Sequence, residues 1–375
     1  MSISIFIAGD VVPRHRTVRL FKEKRTDYLF NDLIPIIKNA DISIVNFEAP
    51  IIEQSETPIK KSGPCLFTTK ETMEVLKDAG FNTVTLANNH FRDQGQQGVE
   101  QTVKVAQSLN VDYVGGGISL EESRKILYKK IKDKIIAIIN VCENEFSIAS
   151  KNYGGSNPLD VISVYQDVIE ARKNAEYVIL ITHGGVEHYQ YPTPRMKKTY
   201  RHFIDIGADA VINHHQHCYS GYEIYKDCPI FYGLGNFCFD WEGKQNSTWN
   251  QGYAVLLKLD NNKISFDIIS YEQCDNEPRV EQVNDKYEST INQINKIIVN
   301  DEELNAKFDS YVQAMEKDFL YRLFPFKNHY VAALYRRNYI KNLFSKTKIY
   351  PIKNLLCCES HREILEQIFK TKTNE

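Results

Sequence analysis

The sequence lacks any long apolar run and carries almost no net charge. No stretch approaches the roughly 20 consecutive apolar residues that a membrane span needs. The opening MSISIFIAGD is apolar, but it is too short for a signal sequence and has neither a basic leader nor a cleavage site. A formal charge of -2 provides no general attraction to nucleic acid or to acidic membranes. We therefore expect a cytoplasmic protein without nucleic-acid partners.

Paired cysteine motifs are also missing. The 8 cysteines are scattered and never form C-x-x-C. In a chain without an export signal, such cysteines are expected to be reduced thiols and not a disulfide framework. Hydrophobic residues make up 42% of the 375 residues and charged residues 25%, which is typical of a globular protein with a substantial core. This length accommodates one large domain with an appendage, or two ordinary domains.

The first 275 residues repeat one pattern: a β-rich apolar run that ends at a polar residue, then a loop, then an amphipathic helix. After about residue 220 the pattern changes to paired strands, such as the two that Asn261-Asn262 joins. Alternating strands and helices followed by hairpins predict a mixed α/β sandwich in place of a doubly wound parallel sheet.

No strand is predicted after about Glu281. We place a domain boundary at Glu277-Pro278, between a domain of residues 1–277 and a helical region of residues 278–375. The helices predicted beyond the boundary span 283–299, 301–319, 328–344 and 360–369.

Residues 317–356 form a basic segment that is rich in aromatic residues. It carries nine Lys and Arg side chains against Asp318, a net charge of +8. One interpretation is that its helices pack their aromatic residues on the first domain and leave the basic faces in solvent. The alternative is a peripheral surface for an anionic membrane or an anionic glycan. No RNA-binding module is recognisable in it.

Polar side chains follow the predicted strands of the first domain, each at a strand end. They are Asp10, Glu48, Asn89 with His90, His183, His215 and His217. In α/β proteins the carboxyl ends of the strands are where ligands gather. Carboxylates, an amide oxygen and imidazoles form a nitrogen and oxygen ligand set, which suits Mn, Fe, Zn, Ni or Mg better than a thiolate site does.

The strongest single signal is AVINHHQH, from Ala210 to His217, which holds three of the chain's 10 histidines. In extended backbone, residues two apart point to the same side. We therefore expect His215 and His217 to face one metal centre. His214 is expected to turn away and to support the site without binding metal.

Six motifs occur in a recognisable order: GD, NFE, NNHxxDxG, HGGxE, GADAVINHHQH and GLGNFCFD. Their order and spacing resemble the bacterial capsule-synthesis family of the CapA type, which is linked to poly-γ-glutamate assembly and belongs to the calcineurin-like metallophosphoesterase superfamily. The resemblance covers roughly residues 1–275. It implies a four-layer α/β/β/α sandwich with mixed sheets, to which this chain adds a C-terminal helical appendage.

The resemblance also implies one or two bound divalent ions (Mn, Zn, Fe or Mg) and a role for each residue at the strand ends. The implied ligands are Asp10 for the first metal, Glu48 as a bridge, Asn89 and His183 for the second metal, and His215 and His217 for one metal each. His90 matches the catalytic histidine that protonates the leaving oxygen.

Two positions depart from the usual pattern of the superfamily. Its first motif is D-x-H, but here Val12 stands two residues after Asp10. Glu48 replaces an aspartate and is longer by one methylene. The first metal therefore has one protein ligand fewer, which leaves a weakly held first metal or a mononuclear site as alternatives.

Further residues are assigned around this centre. Glu187 matches the family's HxGxE position as a second catalytic group, and His188 beside it is expected to contact substrate. Arg14 and Arg16 are expected to bind an anionic group of the substrate, with a solvated loop as the alternative. The predicted supporting residues are His214, Asn236 and Asp93.

The ligand set predicts a metal-dependent hydrolase. Two metals would polarise a phosphoryl oxygen, and His90 would protonate the leaving group. The resemblance implies a phosphoester or a related anionic substrate, small or polymeric, in capsule or cell-surface polysaccharide synthesis. The alternatives are a non-hydrolytic assembly factor that binds an anionic polymer and a metal-dependent transferase or amide-forming enzyme.

Overall fold

The computed structural model describes residues 2–53, 58–261, 263–323 and 346–373, together with 330, 331, 334, 337 and 339. The strands are β1 (Ile3–Val12), β2 (Ile42–Phe47), β3 (Thr83–Thr85), β4 (Asp112–Val114), β5 (Gly116–Gly117), β6 (Leu127–Ile131), β7 (Lys134–Cys142), β8 (Gly155–Ser156), β9 (Tyr177–His183), β10 (Ala210–His214), β11 (Tyr222–Tyr225), β12 (Cys228–Phe231), β13 (Asn236–Phe239), β14 (Gln251–Asp260), β15 (Lys263–Gln273) and β16 (Val280–Gln282). The helices are α1 (Arg16–Lys22), α2 (Thr26–Phe30), α3 (Ile34–Asn39), α4 (Lys70–Ala79), α5 (Gly95–Ser108), α6 (Leu120–Ser123), α7 (Val161–Asn174), α8 (Pro194–Asp205), α9 (Glu288–Val299), α10 (Asp301–Leu323), α11 (Lys346–Cys357) and α12 (Glu359–Thr373).

Two mixed sheets form the centre of the protein. The first has the strand order β16-β15-β14-β1-β2-β3-β4, with β13 pairing in parallel with the end of β1. The second has the order β11-β12-β10-β9-β7-β6. In the first sheet β1 to β4 are parallel and reach one edge, and the antiparallel strands β14 to β16 lie on the other side of β1. In the second sheet the parallel strands β12, β10, β9 and β7 lie between two antiparallel edge strands, β11 and β6.

Strand β1 shows why the chain forms layers. Ile5 and Ile7 belong to an apolar cluster that also contains residues of the second sheet. Phe6 and Ala8, on the opposite face, belong to a cluster beneath the helices from α1 to α5. A strand covered on both faces reads as a nearly continuous apolar run, as ISIFIAGDVV does. Helices α7 and α8 cover the second sheet, so the predicted four-layer α/β/β/α sandwich is confirmed.

Residues beyond the predicted boundary at Glu277-Pro278 continue the sandwich. Strand β16 pairs with β15, and α9 inserts Ile291, Ile294 and Ile298 into the core that the two sheets share. This spacing of apolar residues matches one face of a helix. The core of the sandwich therefore includes residues of α9, and the domain boundary at residue 277 stays a prediction.

The described C-terminal helices pack on the sandwich. Residues of α10, α11 and α12 share an apolar cluster with Val186 and Tyr189, which follow β9. Most of the predicted helix over 328–344 and part of the basic segment lie outside the described residues. None of the helices in the described ranges is both long and apolar enough to cross a bilayer.

A buried polar network, here called the C-terminal clasp, fastens α12 to the loop after β7. Its members are Glu143, Arg195, Ser360 and Glu363. The guanidinium of Arg195 donates to the buried Glu143 carboxylate and to Ser360 Oγ at 3.0 Å, and the Arg195 backbone N–H donates to Glu363 Oε1 at 2.7 Å. Burial alone would raise the pKa of Glu143, but the charge of Arg195 and the Ser360 hydrogen bond outweigh it and lower that pKa.

Arg195→Met is expected to lower the free energy of unfolding by about 3 kcal/mol, because the Glu143 charge stays buried without its cation. Lys226→Met, which removes an exposed ion pair with Asp205, serves as the control and should cost less than about 1 kcal/mol. Urea unfolding of both variants measures the difference. Equal losses would show that the clasp contributes no more than a surface pair.

Candidate metal centre

The predicted ligands meet at one edge of the sandwich, between the two sheets. Asp10 lies near the end of β1 and Glu48 directly follows β2, both in the first sheet. His183 ends β9 and His215 directly follows β10, in the second sheet. Because these strands are parallel within each sheet, their carboxyl ends share an edge. The site is therefore formed by both sheets together.

A close backbone contact sets the position of Asp10. β1 pairs with β14 from Ile3 to Ile7, and its register shifts near Asp10, where β13 joins it. A Cβ on Gly9 would lie 1.9 Å from the carbonyl oxygen of Gly235. Only glycine permits this approach. In the GD motif, Gly9 thus permits the close contact with Gly235, and Asp10 provides the carboxylate.

The histidine segment turns sharply after β10 ends at His214. His215 has φ 94° and His217 has φ 54°, in the left-handed region that non-glycine residues rarely adopt. The two histidines therefore converge through a strained turn, and not through the extended backbone that the sequence predicted. Such strain is found where the surrounding structure holds a functional group in place.

Two groups of potential ligands share one carboxylate. The first group is Glu48, His183 and His215, and the second is Asp10, Glu48 and His217. Within each group the ligand atoms lie within 4.8 Å of one another, and all five residues are buried. Asn89 Oδ1 lies 3.2 Å from His183 Nε2, which adds an amide oxygen to the first group.

The chemistry of Glu48 fits a cation. Both carboxylate oxygens are buried and have no hydrogen-bond partner among the described residues. One of them lies 3.6 Å from His183 Nε2 and 3.9 Å from His217 Nε2. An unpaired buried carboxylate is costly, and a divalent cation would satisfy it. The donors are oxygen and nitrogen atoms, so the residues present fit one or two ions of the predicted kind.

The pKa shifts of the residues at the centre also favour a bound cation. Burial raises the pKa of Asp10, and it raises the pKa of Glu48 well above its usual range with help from the charge of Asp10. Burial lowers the pKa of His217 to about 4 and that of His183 well below its ordinary value. The imidazoles are thus neutral lone-pair donors near pH 7, and a cation would favour the ionised carboxylates beside them.

Two of the predicted supporting residues make hydrogen bonds beside the ligands. Asn236 Oδ1 lies 2.9 Å from His217 Nδ1, and His214 turns away to place its Nε2 3.1 Å from the carbonyl oxygen of Ala8. Asn46 donates to Asp10 Oδ1 at 2.7 Å. Contacts of this kind orient ligands and affect metal affinity.

A buried triad lies beside the ligands. His90 Nδ1 is 2.6 Å from Asp93 Oδ2, and Lys61 Nζ is 2.5 Å from Asp93 Oδ1 and 3.0 Å from His90 Nδ1. Burial would raise the pKa of Asp93, but the charges of His90 and Lys61 outweigh it and lower that pKa. Lys61 was missed because nothing in the local pattern KKSGP separates it from an ordinary loop lysine.

The rim of the centre carries exposed and aromatic residues. Glu187 and His188 are solvent-exposed, and the His188 ring lies 5.8 Å from Trp249, whose ring is 4.8 Å from His217. Burial opposes ionisation of Glu187, but the imidazoles of His217 and His215 outweigh it and lower the pKa of Glu187 to about 2. Because this side chain reaches solvent, water screens the effect. A second glutamate that the sequence missed, Glu145, lies 3.5 Å from His215 Nε2.

The two predicted substrate arginines differ in the structure. Arg16 forms a bidentate pair with Asp240, at 2.8 and 3.0 Å, and donates to the carbonyl oxygens of Cys274 and Asn276. Its guanidinium therefore joins α1 to the end of β15, and its contact with substrate stays a prediction. Arg14 instead stacks over Trp241, with its guanidinium carbon 4.4 Å from the ring centroid.

Substitution of the shared carboxylate should affect both ligand groups. We expect the wild type to retain two Mn²⁺ ions per chain, one for each group. Glu48→Gln should lose both ions, whereas His183→Ala and His217→Ala should each lose one. His202→Ala, on α8 and outside the centre, is the control. Elemental analysis after dialysis against Mn²⁺ measures the ratio. Full retention by Glu48→Gln would contradict the bridging position.

The same substitution should stabilise the metal-free protein. Glu48→Gln removes a buried charge without a hydrogen bond, so we expect a gain of about 1 kcal/mol at pH 7. The raised pKa of Glu48 means that the folded wild type binds this proton more tightly than the unfolded chain. The wild type therefore gains stability as the pH falls toward the unfolded pKa of about 4.3, and the advantage of the variant shrinks. Urea unfolding in EDTA checks this; an advantage that grows with acidity would contradict it.

Comparison with known proteins reveals relatives among capsule proteins. The profile of the family described as bacterial capsule synthesis protein PGA_cap matches residues 4–241. Capsule biosynthesis protein CapA of Bacillus anthracis is 30% identical over 246 residues, which are 64% of this chain and 60% of that protein. PGA biosynthesis protein CapA of Bacillus subtilis (strain 168) is 33% identical over 241 residues, 64% of this chain and 63% of that protein. The chain thus spans a little under two thirds of the length of these relatives.

Solved structures are more distant from this chain. A hypothetical protein from Thermus thermophilus aligns at a TM-score of 0.46 and 14% identity, over 72% of this chain and 99% of that chain. The calcineurin-like phosphoesterase YfkN from Bacillus subtilis aligns at a TM-score of 0.39 and 14% identity, over 82% of this chain and 98% of that chain. Likeness at this level carries no information about chemistry.

The family match covers more than half of the chain and includes all six motifs that carried the resemblance. It ends just after β13, so β14 to β16 and the later helices lie beyond it. The predicted family is confirmed: this chain belongs to the bacterial capsule synthesis protein PGA_cap family.

Proposed function

We propose that this protein is a metal-dependent phosphoester hydrolase that acts in the synthesis of a capsule or another anionic cell-surface polymer. The observation that carries the reaction class is the shared, unpaired carboxylate of Glu48 between two groups of buried ligands. Support for the biological setting comes from the family and from the names of its capsule-synthesis relatives.

Bound divalent cations would supply Lewis-acid polarisation of a phosphoryl oxygen and activation of water. Asp10, Glu48, His183, His215 and His217 would hold them, with Asn89 beside His183. Burial lowers the pKa of His183 and of His217, which keeps these two imidazoles in the neutral form that binding requires. The shared carboxylate fixes the two groups relative to each other.

His90 is placed to donate a proton to the leaving oxygen. Its Nδ1 is held by Asp93, so Nε2 is the nitrogen left to face substrate. Asp93 is itself fixed by Lys61 and by the backbone N–H of Leu66 at 2.7 Å. A carboxylate that orients an imidazole and stabilises its cationic form is the arrangement that a general acid needs.

The residue Val12 is the observation that favours an alternative function. It stands where the superfamily has a histidine, and it packs in an apolar cluster with Leu66, Phe239 and Trp249. The second ligand group therefore has no further imidazole at this position. Valine in place of histidine favours a protein that binds an anionic polymer without hydrolysing it. The other alternative, a transferase, would need an activated donor.

The test is a screen of phosphomonoesters and phosphodiesters with Mn²⁺- or Zn²⁺-loaded protein. We expect turnover, and His90→Ala should lower kcat by about 100- to 10,000-fold while the metal content is unchanged. His202→Ala is the matched control and should retain the wild-type rate.

Three other outcomes would contradict the proposal or the role that it gives to His90. Metal-loaded protein without turnover of any phosphoester would favour the assembly factor. Polymer chemistry that requires an added activated donor would favour the transferase. Wild-type kcat in His90→Ala would remove this residue from the mechanism.

A further inference from the structure

A cavity of about 400 Å³ opens next to the metal centre. One wall is the connection from β1 to α1, and the opposite wall is the segment before α4. Val12 and Leu66 line the cavity and also belong to the apolar cluster that contains Trp249. Because the Trp249 ring lies 4.8 Å from His217, this cluster is the partition between the cavity and the metal ligands.

Arg14 is the one lining residue with a half-buried guanidinium. The group stacks on Trp241, and within the described ranges its side chain has no ion pair and no hydrogen bond. Arg16, two residues later, is fully engaged by Asp240 and by backbone carbonyls. Arg16 therefore stabilises the fold, whereas Arg14 faces the cavity.

The charge of the cavity suits an oxyanion. Arg14 and Lys22 line it against Glu53, and His15 and Thr68 add polar groups. A guanidinium offers several N–H donors in a planar fork that matches carboxylate or phosphate oxygens. A partly desolvated guanidinium without an anion gains most from such a partner, since water competes less for it.

A chain of ring contacts separates Arg14 at the cavity from His217 at the metal centre. Two indole rings lie between Arg14 and His217: Trp241 and Trp249, with centroids 5.6 Å apart. Their apolar faces offer a surface for a linking chain. A ligand that uses both places must therefore be elongated, with an anionic group at each end.

We propose that the cavity at Arg14 is a subsite for a second oxyanion, a carboxylate or a phosphate, carried by an elongated substrate whose phosphoryl group lies at the metal centre. This inference rests on the proposed function. It narrows the substrate class to phosphorylated compounds that carry another negative charge several bonds from the reacting group.

Calorimetric binding of inert phosphonates to Mn²⁺-loaded protein tests the subsite without turnover. The probes are hexylphosphonate, 6-phosphonohexanoate and hexane-1,6-bisphosphonate, which differ only in the distal group. We expect at least one distal anion to tighten binding about tenfold over hexylphosphonate, the effect of one hydrogen-bonded charge pair. The stronger of the two identifies carboxylate or phosphate as the preferred group.

Arg14→Gln should abolish this gain and leave the affinity for hexylphosphonate unchanged, and Arg14→Lys should keep part of it. Arg25→Gln is the matched control, because Arg25 also stacks on an aromatic ring, that of Tyr28, but does not line the cavity. Equal affinity for all three probes in the wild type, or an undiminished gain in Arg14→Gln, would overturn the subsite alone. Failure of hexylphosphonate itself to bind would overturn the proposed function and the subsite with it.

Discussion

The buried carboxylate of Glu48 is the constraint on which the rest of the site depends. It lies between two sets of ligands, it has no hydrogen bond among the described residues, and its neighbours include the charge of Asp10. Such an arrangement is unfavourable in a protein that holds no cation, because like charges and desolvation both oppose ionisation. The same features make it a strong ligand for a divalent ion. Glu48 therefore lowers the stability of the metal-free protein and at the same time favours metal binding.

Several features of the fold could be read from the sequence because they depend on local pattern. The alternation of apolar strands and amphipathic helices predicted the sandwich, and polar residues at strand ends predicted which side chains meet. His183 and His215 come together because parallel strands of one sheet end at a common edge. That relation requires only that the two strands are parallel neighbours in one sheet.

Other features depend on contacts between distant segments and could not be read in this way. Lys61 reaches His90 from a loop without secondary structure, and Arg16 is engaged by Asp240, more than two hundred residues later. The left-handed backbone at His217 was missed because the turn is imposed by its surroundings and not by a residue that prefers it. The strand β16 was also missed, and it is held by its pairing with β15.

The C-terminal helices help to hold the loops that form the metal centre. The clasp holds the loop after β7, whose Glu145 lies 3.5 Å from His215, and the apolar cluster of the same helices contains residues that flank Glu187. Two loops at the metal centre are thus supported by a part of the chain that the family match does not include.

The order of strands in the first sheet has a consequence for anyone who divides this chain at the family boundary. β14 lies next to β1, but it comes after residue 241, where the match ends. A fragment that stops there would leave β1 as an open sheet edge with apolar faces, ready to pair with another copy and precipitate. The family match therefore ends before the last element of the core does. We expect that a fragment must extend at least through α9, which fills the core between the sheets, to fold and stay in solution.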